Sequence, residues 1–330
     1  MLIALDAMGG DHAPAEIVAG ALLARNEHGI EVACVGPREV IEAELKRLGE
    51  APAAVQIVHA SEAIAMDEHP AQAVRAKRDS SINVGMQLVK RGVAGAFVSA
   101  GNTGAVMASA LLNLGRIQGI ERPALGTIAP FSERGILVLD VGANADVKPS
   151  YLVQFAQMGS VFAERVMNIA NPRVALLNIG SEAGKGNELT QEVYERLQHA
   201  GVNFVGNIEG GEAHKDRADV IVTDGFTGNV AIKVSEGMAD FIFRELRASL
   251  TSSLKYKLAA SVLRPALLQM RDRLDPGTYG GAPLLGVNGF VMITHGNSNA
   301  RAIKNALRRA HDGASSGMLD SIRSALQRGR

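Results

Sequence analysis

The sequence contains 330 residues, in which 34 lysines and arginines balance 34 aspartates and glutamates. This length allows a large buried core, and the zero formal net charge gives no support for bulk nucleic-acid binding. The single cysteine, Cys34, excludes an intramolecular disulfide framework and lies in an apolar run, where inert strand packing is favoured over a reactive thiol. No apolar stretch approaches the roughly 20 residues of a transmembrane helix or the pattern of a signal peptide, so we expect a cytoplasmic protein.

Short apolar runs alternate with helical patterns along the whole chain. The runs are continuous rather than alternating, which is typical of strands buried on both faces of a parallel sheet. The predicted strands cover residues 2–5, 31–35, 55–58, 96–98, 136–139, 174–178, 220–222, 284–287 and 290–293. The main predicted helices cover residues 14–27, 39–48, 81–91, 151–167 and 188–199. Because no repeat or flexible linker separates them, we expect one three-layer α/β/α domain over residues 1–330, with a largely parallel twisted sheet and room for two lobes.

A long segment from residue 229 to about residue 263 departs from this alternation, because it contains one glycine and no proline. Its leucines recur every four residues, at Leu246, Leu250, Leu254 and Leu258. A helix of this length would extend roughly 45–50 Å, and Pro265 should break or kink it. We expect residues 229–274 to form a protruding helical hairpin that contacts a second subunit, a membrane surface or both. The apolar side chains that suit a membrane contact, because basic residues flank them, are Leu258, Val262, Leu263, Leu267 and Leu268.

The segment GAFVSAGNTGAV, at residues 95–106, combines an apolar run, a glycine turn and the start of a helix. Unpaired backbone N–H groups at a helix N-terminus favour an anion, and small residues let a ligand approach the backbone closely. Similar turns follow predicted strands at residues 6–12, 140–144, 178–187 and 223–229. Because ligands bind at the carboxyl ends of strands in open α/β sheets, we expect these turns to share one edge and form a single polar cleft. The pattern indicates an enzyme that handles phosphate.

Other catalytic signatures are incomplete. Residues 180–186 read GSEAGKG, one residue short of the nucleotide-binding loop and without its Ser or Thr. The histidines are scattered without metal-ligand spacing, so we expect no metal. Lys185 is a lone cation inside a glycine turn, which a bound phosphate or oxyanion would explain. His295 ends a predicted strand, where a structural hydrogen bond is slightly favoured over catalysis.

A series of short motifs spans nearly the whole chain: DAMGGD at 6–11, HPAQAVRAKRDSS at 69–81, SAGNTGA at 99–105, ERPAL at 121–125, DVGAN at 140–144, NIGSEAGKGN at 178–187, GNIEG at 206–210, TDGFTGNVAIK at 223–233, YGGAPLLGV at 279–287 and HGNSN at 295–299. In this order they resemble the phosphate acyltransferases of bacterial phospholipid synthesis, which convert acyl-acyl carrier protein and phosphate into acyl phosphate. The resemblance implies a fold similar to isocitrate and isopropylmalate dehydrogenases and to phosphotransacetylases. It also implies a homodimer, no metal or cofactor, loose membrane association, and a membrane glycerol-3-phosphate acyltransferase that uses the product.

An acyltransferase of this kind needs no acyl-enzyme, because the thioester is already activated and a correctly held phosphate can attack it directly. We assign Lys185 and Asn229, as catalytic residues, to phosphate and transition-state binding. The residues expected to bind phosphate or substrate are Asp6, Gly9, Gly10, His12, Ser99, Gly101, Asn102, Thr103, Gly104, Asn144, Gly186, Asn187, Gly228, His295 and Ser298. An acidic carrier protein should meet a basic surface, for which the candidates are Arg75, Lys77, Arg78, Arg264, Arg271 and Arg273.

Other functions remain open from the sequence. A phosphotransacetylase-type enzyme would share the chemistry but use a coenzyme A thioester. A nicotinamide-dependent decarboxylating dehydrogenase would share the fold, although its metal-binding carboxylates and dinucleotide loop are not evident. A non-catalytic phosphate-binding or membrane scaffold protein is the alternative from a different class.

Overall fold

The chain folds around one large mixed β-sheet. A computed structural model describes residues 1–328, so the last two residues of the predicted domain lie outside the description. The strands are β1 (Leu2–Asp6), β2 (Glu31–Gly36), β3 (Gln56–His59), β4 (Ala96–Ser99), β5 (Ala124–Ala129), β6 (Ile136–Leu139), β7 (Arg173–Asn178), β8 (Asn203–Glu209), β9 (Val220–Val222), β10 (Ala282–Leu285) and β11 (Phe290–Ile293). The α-helices are α1 (Ala15–His28), α2 (Arg38–Arg47), α3 (Pro70–Ala76), α4 (Ser81–Lys90), α5 (Thr103–Asn113), α6 (Pro149–Arg165), α7 (Glu188–Leu197), α8 (Gly225–Thr251), α9 (Leu254–Leu274), α10 (Ala300–Ser315) and α11 (Met318–Arg328).

The sheet has the strand order β3-β2-β1-β4-β11-β10-β5-β6-β9-β7-β8. Neighbouring strands are parallel from β3 to β11 and again from β6 to β8. Apolar side chains on its two faces pack under helices in two separate clusters, which accounts for the continuous apolar runs in the sequence. The predicted three-layer α/β/α architecture is therefore confirmed.

The two parallel halves of the sheet run in opposite directions. Strand β10 is antiparallel to both β11 and β5, and β5 is antiparallel to β6. The carboxyl ends of β1, β2, β3, β4, β5 and β11 therefore lie at one edge, the first edge, and those of β6, β7, β8 and β9 at the opposite edge, the second edge. The expectation that all the glycine turns share one edge is wrong, because no local pattern revealed the antiparallel strands between the halves.

Most predicted strands are present within one or two residues, but β5 and β8 were missed. Strand β5 has the sequence ALGTIA, whose small residues give little strand signal. Gly126 nevertheless fits because the side chains of Leu137 and Leu139 fill the space above it. Strand β8 lies at the end of the sheet, is only partly buried, and contains Gly206 at a φ of 94°. The late strand predicted at 284–287 lies at Ala282–Leu285 instead.

Cys34 lies in β2 and is fully buried in the core. Burial raises the pKa of its thiol to about 12. Because the thiolate is the nucleophilic form, this cysteine is inert at neutral pH. The sequence-based interpretation of Cys34 as strand packing is confirmed.

The predicted helical hairpin is formed by α8 and α9, but its break lies elsewhere than predicted. Helix α9 continues through Pro265 to Leu274, so the predicted break at this proline is wrong. The chain instead turns between the two helices, where Ser253 caps α9 by accepting the backbone N–H of Tyr256 at 3.3 Å. Serine at an N-cap offers the backbone an alternative to helix continuation, which outweighs the regular leucine spacing. Among residues 1–328, no helix combines the length and apolar character needed to cross a bilayer.

Candidate active site

A buried carboxylate, Asp140, organises the second edge directly after β6. It accepts backbone N–H bonds from Leu125 at 3.1 Å, Ala143 at 3.0 Å and Asn144 at 2.7 Å. The side-chain amide of Asn144 donates to Asp140 and to the carbonyl of Pro123, both at 2.8 Å. Burial raises the pKa of Asp140, while the Asn144 amide opposes part of that rise. The Asn144 amide therefore fixes this turn and is not the free donor to substrate that the sequence suggested.

The first turn of α8 packs directly on the Asp140 turn. A Cβ at Gly228 would lie 1.9 Å from the carbonyl oxygen of Asp140, so only glycine fits. Asp224 caps the helix by accepting a backbone N–H at 2.8 Å. The Nδ2 atom of Asn229 donates to the carbonyl of Val141 at 3.0 Å. An amide nitrogen carries two N–H groups, so Asn229 is held in place with one donor to spare.

The neighbouring turn, after β7, positions Lys185. The side chain of Asn178 donates to the Lys185 carbonyl at 3.1 Å, and that of Gln191 donates to the Gly186 carbonyl at 3.2 Å. Asn187 then begins α7 as its N-cap, so its side-chain oxygen is used for helix capping. The Lys185 side chain is exposed, and no acidic group within residues 1–328 lies at ion-pair distance from it.

Lys185 and the α8 N-terminus come from adjacent strand ends, because β7 and β9 pair in parallel. A helix N-terminus carries a partial positive charge and favours anions, and an ammonium group adds a full charge. The second edge therefore combines a cation, a helix N-terminus and the spare amide donor of Asn229. Such a set can bind phosphate and stabilise negative charge that develops on a carbonyl oxygen.

The first edge is braced by hydrogen bonds among its own turns. The hydroxyl of Ser99 donates to Asp6 at 2.7 Å and accepts the backbone N–H of Gly101 at 3.0 Å. Burial raises the pKa of Asp6, and its hydrogen bonds, including that from Ser99, oppose part of the rise. A Cβ at Gly9 would lie 2.7 Å from the backbone nitrogen of Gly101. Asp6 and Ser99 therefore join β1 to β4 inside the protein.

Asn102 is also engaged within the protein. Its Nδ2 atom donates to the carbonyls of Met66 and Glu68, both at 3.1 Å, and its Oδ1 atom caps α5 by accepting the Ala105 N–H at 3.1 Å. The predicted role of this amide as a donor to phosphate is therefore wrong, because both of its ends are already bonded. Thr103 beside it is exposed.

The turn after β1 is joined to the turn after β11, since the N–H of Asp11 donates to the carbonyl of Gly296 at 2.7 Å. Gly10 lies within this junction, with Gly296 and Ala100 as its neighbours. His12 is exposed, whereas Ser298 is buried. Gly104 packs on Pro70, away from the junction. The first-edge residues thus form one connected group that is separate from the Lys185 turn.

His295 connects the first edge to the middle of α8. Its Nε2 atom lies 3.4 Å from Glu236, whose other oxygen is 2.8 Å from the Nζ atom of Lys233. Glu236 lies about 16 Å along α8 from the helix start, which is close to the length of a strand. Helix α8 therefore runs from the second edge to the first. The contact between His295 and Glu236 agrees with the structural role that the sequence favoured for His295.

The contact between His295 and Glu236 can be measured through the pKa of the Glu236 carboxyl. Hydrogen bonds from His295, and then from Lys233, lower the pKa of Glu236 to about 2. Because the folded-state pKa is depressed, the stabilisation is complete above the ordinary pKa of about 4.3 and is lost as the pH falls towards 2. An NMR titration of the carboxyl should give a midpoint near pH 2, and His295→Gln should raise it. An ordinary glutamate midpoint in the unmodified protein would contradict the contact between His295 and Glu236.

A cavity of about 1570 Å³ lies between the α8–α9 hairpin and the body of the protein. It exceeds the roughly 300–1,000 Å³ of common small-molecule pockets. Most of its wall is apolar and includes Ile128, Phe131, Met238, Ile242, Phe243, Leu246, Leu250, Leu267 and Leu268. Its polar end includes Lys233, His295 and Ser298. The lining on α8 begins at Ile232, within one helical turn of Asn229. Leu267 and Leu268, predicted as membrane contacts, line this cavity because α9 returns towards the body here.

Sequence reasoning did not select Asp140, Lys233 or Glu236 as site residues. Asp140 had a usable signal, since it is a carboxylate placed directly after a buried strand. The sequence gives no such signal for Lys233 and Glu236, because charged residues on a long helix are ordinarily solvated. Within residues 1–328, no group of three or more His, Cys, Asp or Glu side chains is arranged to hold a metal ion.

The fold is that of the phosphotransacetylase and dehydrogenase-like class of α/β proteins. The EutD phosphotransacetylase from Staphylococcus aureus superposes with a TM-score of 0.66 and 14% identity, covering 95% of this chain and 94% of that one. A 4-hydroxythreonine-4-phosphate dehydrogenase from Klebsiella pneumoniae superposes with a TM-score of 0.58 and 15% identity, covering 96% and 99%. At these identities the likeness concerns the fold alone, and it confirms the dehydrogenase-like architecture.

The family is defined by sequence. The family model described as fatty acid synthesis protein matches residues 1–320. A phosphate acyltransferase from Desulfitobacterium hafniense is 53% identical over 329 residues, covering 99% of this chain and 98% of its own length. Another from Heliobacterium modesticaldum is 54% identical over 323 residues, covering 98% and 96%. The chain belongs to this phosphate acyltransferase family, whose members are transferase enzymes.

Proposed function

We propose that the protein forms acyl phosphate from acyl-acyl carrier protein and inorganic phosphate, for use in glycerophospholipid synthesis. The observation that carries this proposal is that the large apolar cavity begins on α8 at Ile232, within one helical turn of Asn229 at the second edge. Lys185 and Asn229 offer a place for phosphate, and the cavity begins within one helical turn of Asn229. A phosphate site placed next to a slot for a long apolar chain suits an acyl phosphate as product.

The reaction requires only that phosphate and thioester be held together. A phosphate oxygen attacks the thioester carbonyl, the C–S bond breaks, and the carrier thiol leaves, so no acyl-enzyme is required. Lys185 binds the phosphate and balances its charge. The spare N–H of Asn229 donates to phosphate or to the developing oxyanion. Within one protomer we place phosphate at the second edge, where Asn144, Gly186, Asn187 and Gly228 shape the turns.

The acyl chain occupies the cavity between the hairpin and the body. Its apolar wall removes the chain from water, which contributes about 0.8 kcal/mol for each buried CH₂ group. The polar end at His295 and Ser298 lies at the first edge beside Glu236, near the start of the chain's path along α8. The other first-edge residues keep the turns around this end in register.

We propose a homodimer in which α8 forms the main contact. Phe226, Val230, Val234 and Phe241 lie close together on one helix face, and all are exposed. Phe226 is 67% exposed in the single chain. A contiguous apolar face of this kind marks an interaction surface, and a second copy can cover it through the same residues. Residues 229–274 then serve as the contact element of one compact domain.

We propose that the far part of the hairpin touches the membrane. The protein is then cytoplasmic and associates peripherally with the lipid surface. Leu258, Val262 and Leu263 are exposed on α9, and Val262 is 79% exposed. Lysines 255 and 257 flank them and suit anionic headgroups. From this position the acyl phosphate can pass to a membrane glycerol-3-phosphate acyltransferase without crossing water.

We expect Leu258→Glu, Val262→Glu and Leu263→Glu together to lower binding to phosphatidylglycerol vesicles at least tenfold, because buried apolar contact is replaced by charge. Vesicle flotation measures this loss. The matched control is Val93→Glu, at another apolar residue that is 51% exposed but lies outside the hairpin. Binding that survives the triple change would restrict this part of the hairpin to subunit contact.

Trapping with hydroxylamine tests the proposed reaction. The protein is incubated with palmitoyl-acyl carrier protein and phosphate, beside the same reaction with palmitoyl-coenzyme A. Palmitoyl hydroxamate that requires both phosphate and the carrier thioester is expected. Product only from the coenzyme A thioester would favour a phosphotransacetylase-type enzyme. No product from either donor, with folded protein, would favour a phosphate-binding scaffold.

A further inference from the structure

A second cavity, of about 660 Å³, lies at the base of the hairpin where α9 meets α10 and the β5–β6 turn. Four arginines from three separate parts of the chain line it: Arg134, Arg273, Arg308 and Arg309. The acidic side chains in its wall are Glu133 and Asp272. Arginines converge on this cavity from elements that are distant in sequence, so the fold rather than a local charge run assembles it.

Positive charge at this cavity is only partly balanced. Asp272 is already paired with Arg301 at 2.9 Å. Among residues 1–328, none of the four arginines has an acidic partner within 4.0 Å. Arg309 donates to the carbonyl of Val166 at 3.3 Å, and burial together with neighbouring Arg308 lowers its pKa. Four guanidinium groups therefore line one cavity whose wall holds two carboxyl groups, one of them already paired, which favours an acidic partner.

The cationic cavity adjoins the proposed acyl slot. Leu268 lines both cavities, and Arg264 and Arg271 extend the positive charge along the slot. A partner seated on the arginines would therefore stand beside the wall of the apolar cavity at Leu268. Arg273 lies about 28 Å along α9 from Leu254, so the cationic cavity is separated from the apolar residues proposed to enter the membrane.

We propose that the cavity lined by Arg134, Arg273, Arg308 and Arg309 is the docking surface for an acidic acyl carrier domain. The proposal rests on the proposed function, because it names where the protein part of that donor binds. Charge complementarity supplies the recognition, and an arginine fork suits carboxylates on a helix of the carrier. The carrier's flexible arm then delivers the acyl chain into the adjoining slot past Leu268.

Charge reversal with two kinds of donor tests this surface. Arg273→Glu and Arg308→Glu are chosen because both side chains are exposed, whereas Arg309 is partly buried. With palmitoyl-acyl carrier protein, we expect the KM for the donor to rise about tenfold in each variant, and more at low salt. With palmitoyl-phosphopantetheine, which lacks the carrier domain, kinetics should stay unchanged. Arg91→Glu, at an exposed arginine at the C-terminal end of α4, should change neither.

The outcomes separate the docking surface from the reaction itself. Unchanged KM for the carrier donor, or an equal loss with both donors, would overturn the docking surface. Loss of binding to phosphatidylglycerol vesicles with intact carrier kinetics would assign the arginines to lipid and also overturn it. If the unmodified protein forms no acyl phosphate from either donor, the proposed function fails. Fluorescence anisotropy of labelled carrier, with and without Arg308→Glu, then tests docking alone.

Discussion

Lys185→Ala is expected to lower kcat/KM for phosphate by about 10²–10³-fold, because it removes the full positive charge that the account places against phosphate. Lys185 is exposed in a turn whose hydrogen bonds use only its backbone, so the fold should not change. The effect is measured from initial rates at varied phosphate, with circular dichroism to confirm an unchanged structure. Lys185→Arg should retain part of the activity, because it keeps the charge.

The control for this change is Lys46→Ala, at another exposed lysine, which lies on α2 away from the second edge. It should leave the kinetics unchanged. Normal turnover by Lys185→Ala at every phosphate concentration would remove Lys185 from the site. A loss of activity accompanied by unfolding would instead assign the residue a structural role.

Gly228→Ala is expected to destabilise the protein by about 3 kcal/mol and to abolish activity. The added Cβ would lie 1.9 Å from the backbone oxygen of Asp140 and 2.9 Å from the side chain of Thr223. Neither the buried Asp140 turn nor the start of α8 can move without breaking the bonds that hold them. Urea denaturation followed by circular dichroism gives the change in stability.

Gly237→Ala provides a matched control on the same helix. Nothing lies within 4 Å of a Cβ at this position. Alanine exceeds glycine in helix propensity, so this change should stabilise a single protomer by about 1 kcal/mol. Because Gly237 lies on the α8 face proposed for subunit contact, the comparison is made at protein concentrations low enough to keep the chain monomeric. If Gly228→Ala and Gly237→Ala behave alike, the close approach of α8 to Asp140 does not exist in solution.

The strands and the hairpin were predictable because both leave local signals. Continuous apolar runs marked strands buried on two faces, and the segment without glycine clusters marked long helices. Strand β5 was missed because Gly126 takes its packing from Leu137 and Leu139, which lie on the paired strand β6. The break between α8 and α9 was not predicted, because the leucine spacing continues across it. The cap at Ser253 nevertheless starts a new helix there.

The site was predictable only in its chemistry. Glycine turns with Lys185 and Asn229 indicated an anion site, but sequence cannot show the direction in which half of a sheet runs. The antiparallel pairing of β10 and β5 separated turns that looked equivalent. Amides such as Asn102 and Asn144 looked like free donors because their backbone partners lie in distant loops. Polar atoms in glycine turns are therefore more often used for bracing than composition suggests.

The fate of the phosphate oxygens tests the central claim most directly. Palmitoyl-acyl carrier protein is incubated with the protein and phosphate fully labelled with oxygen-18, and the product is analysed by mass spectrometry. Direct attack of phosphate on the thioester predicts palmitoyl phosphate that retains every labelled oxygen, formed together with free carrier thiol. Free palmitate as the primary product, or palmitoyl phosphate that has lost a labelled oxygen, would contradict the account.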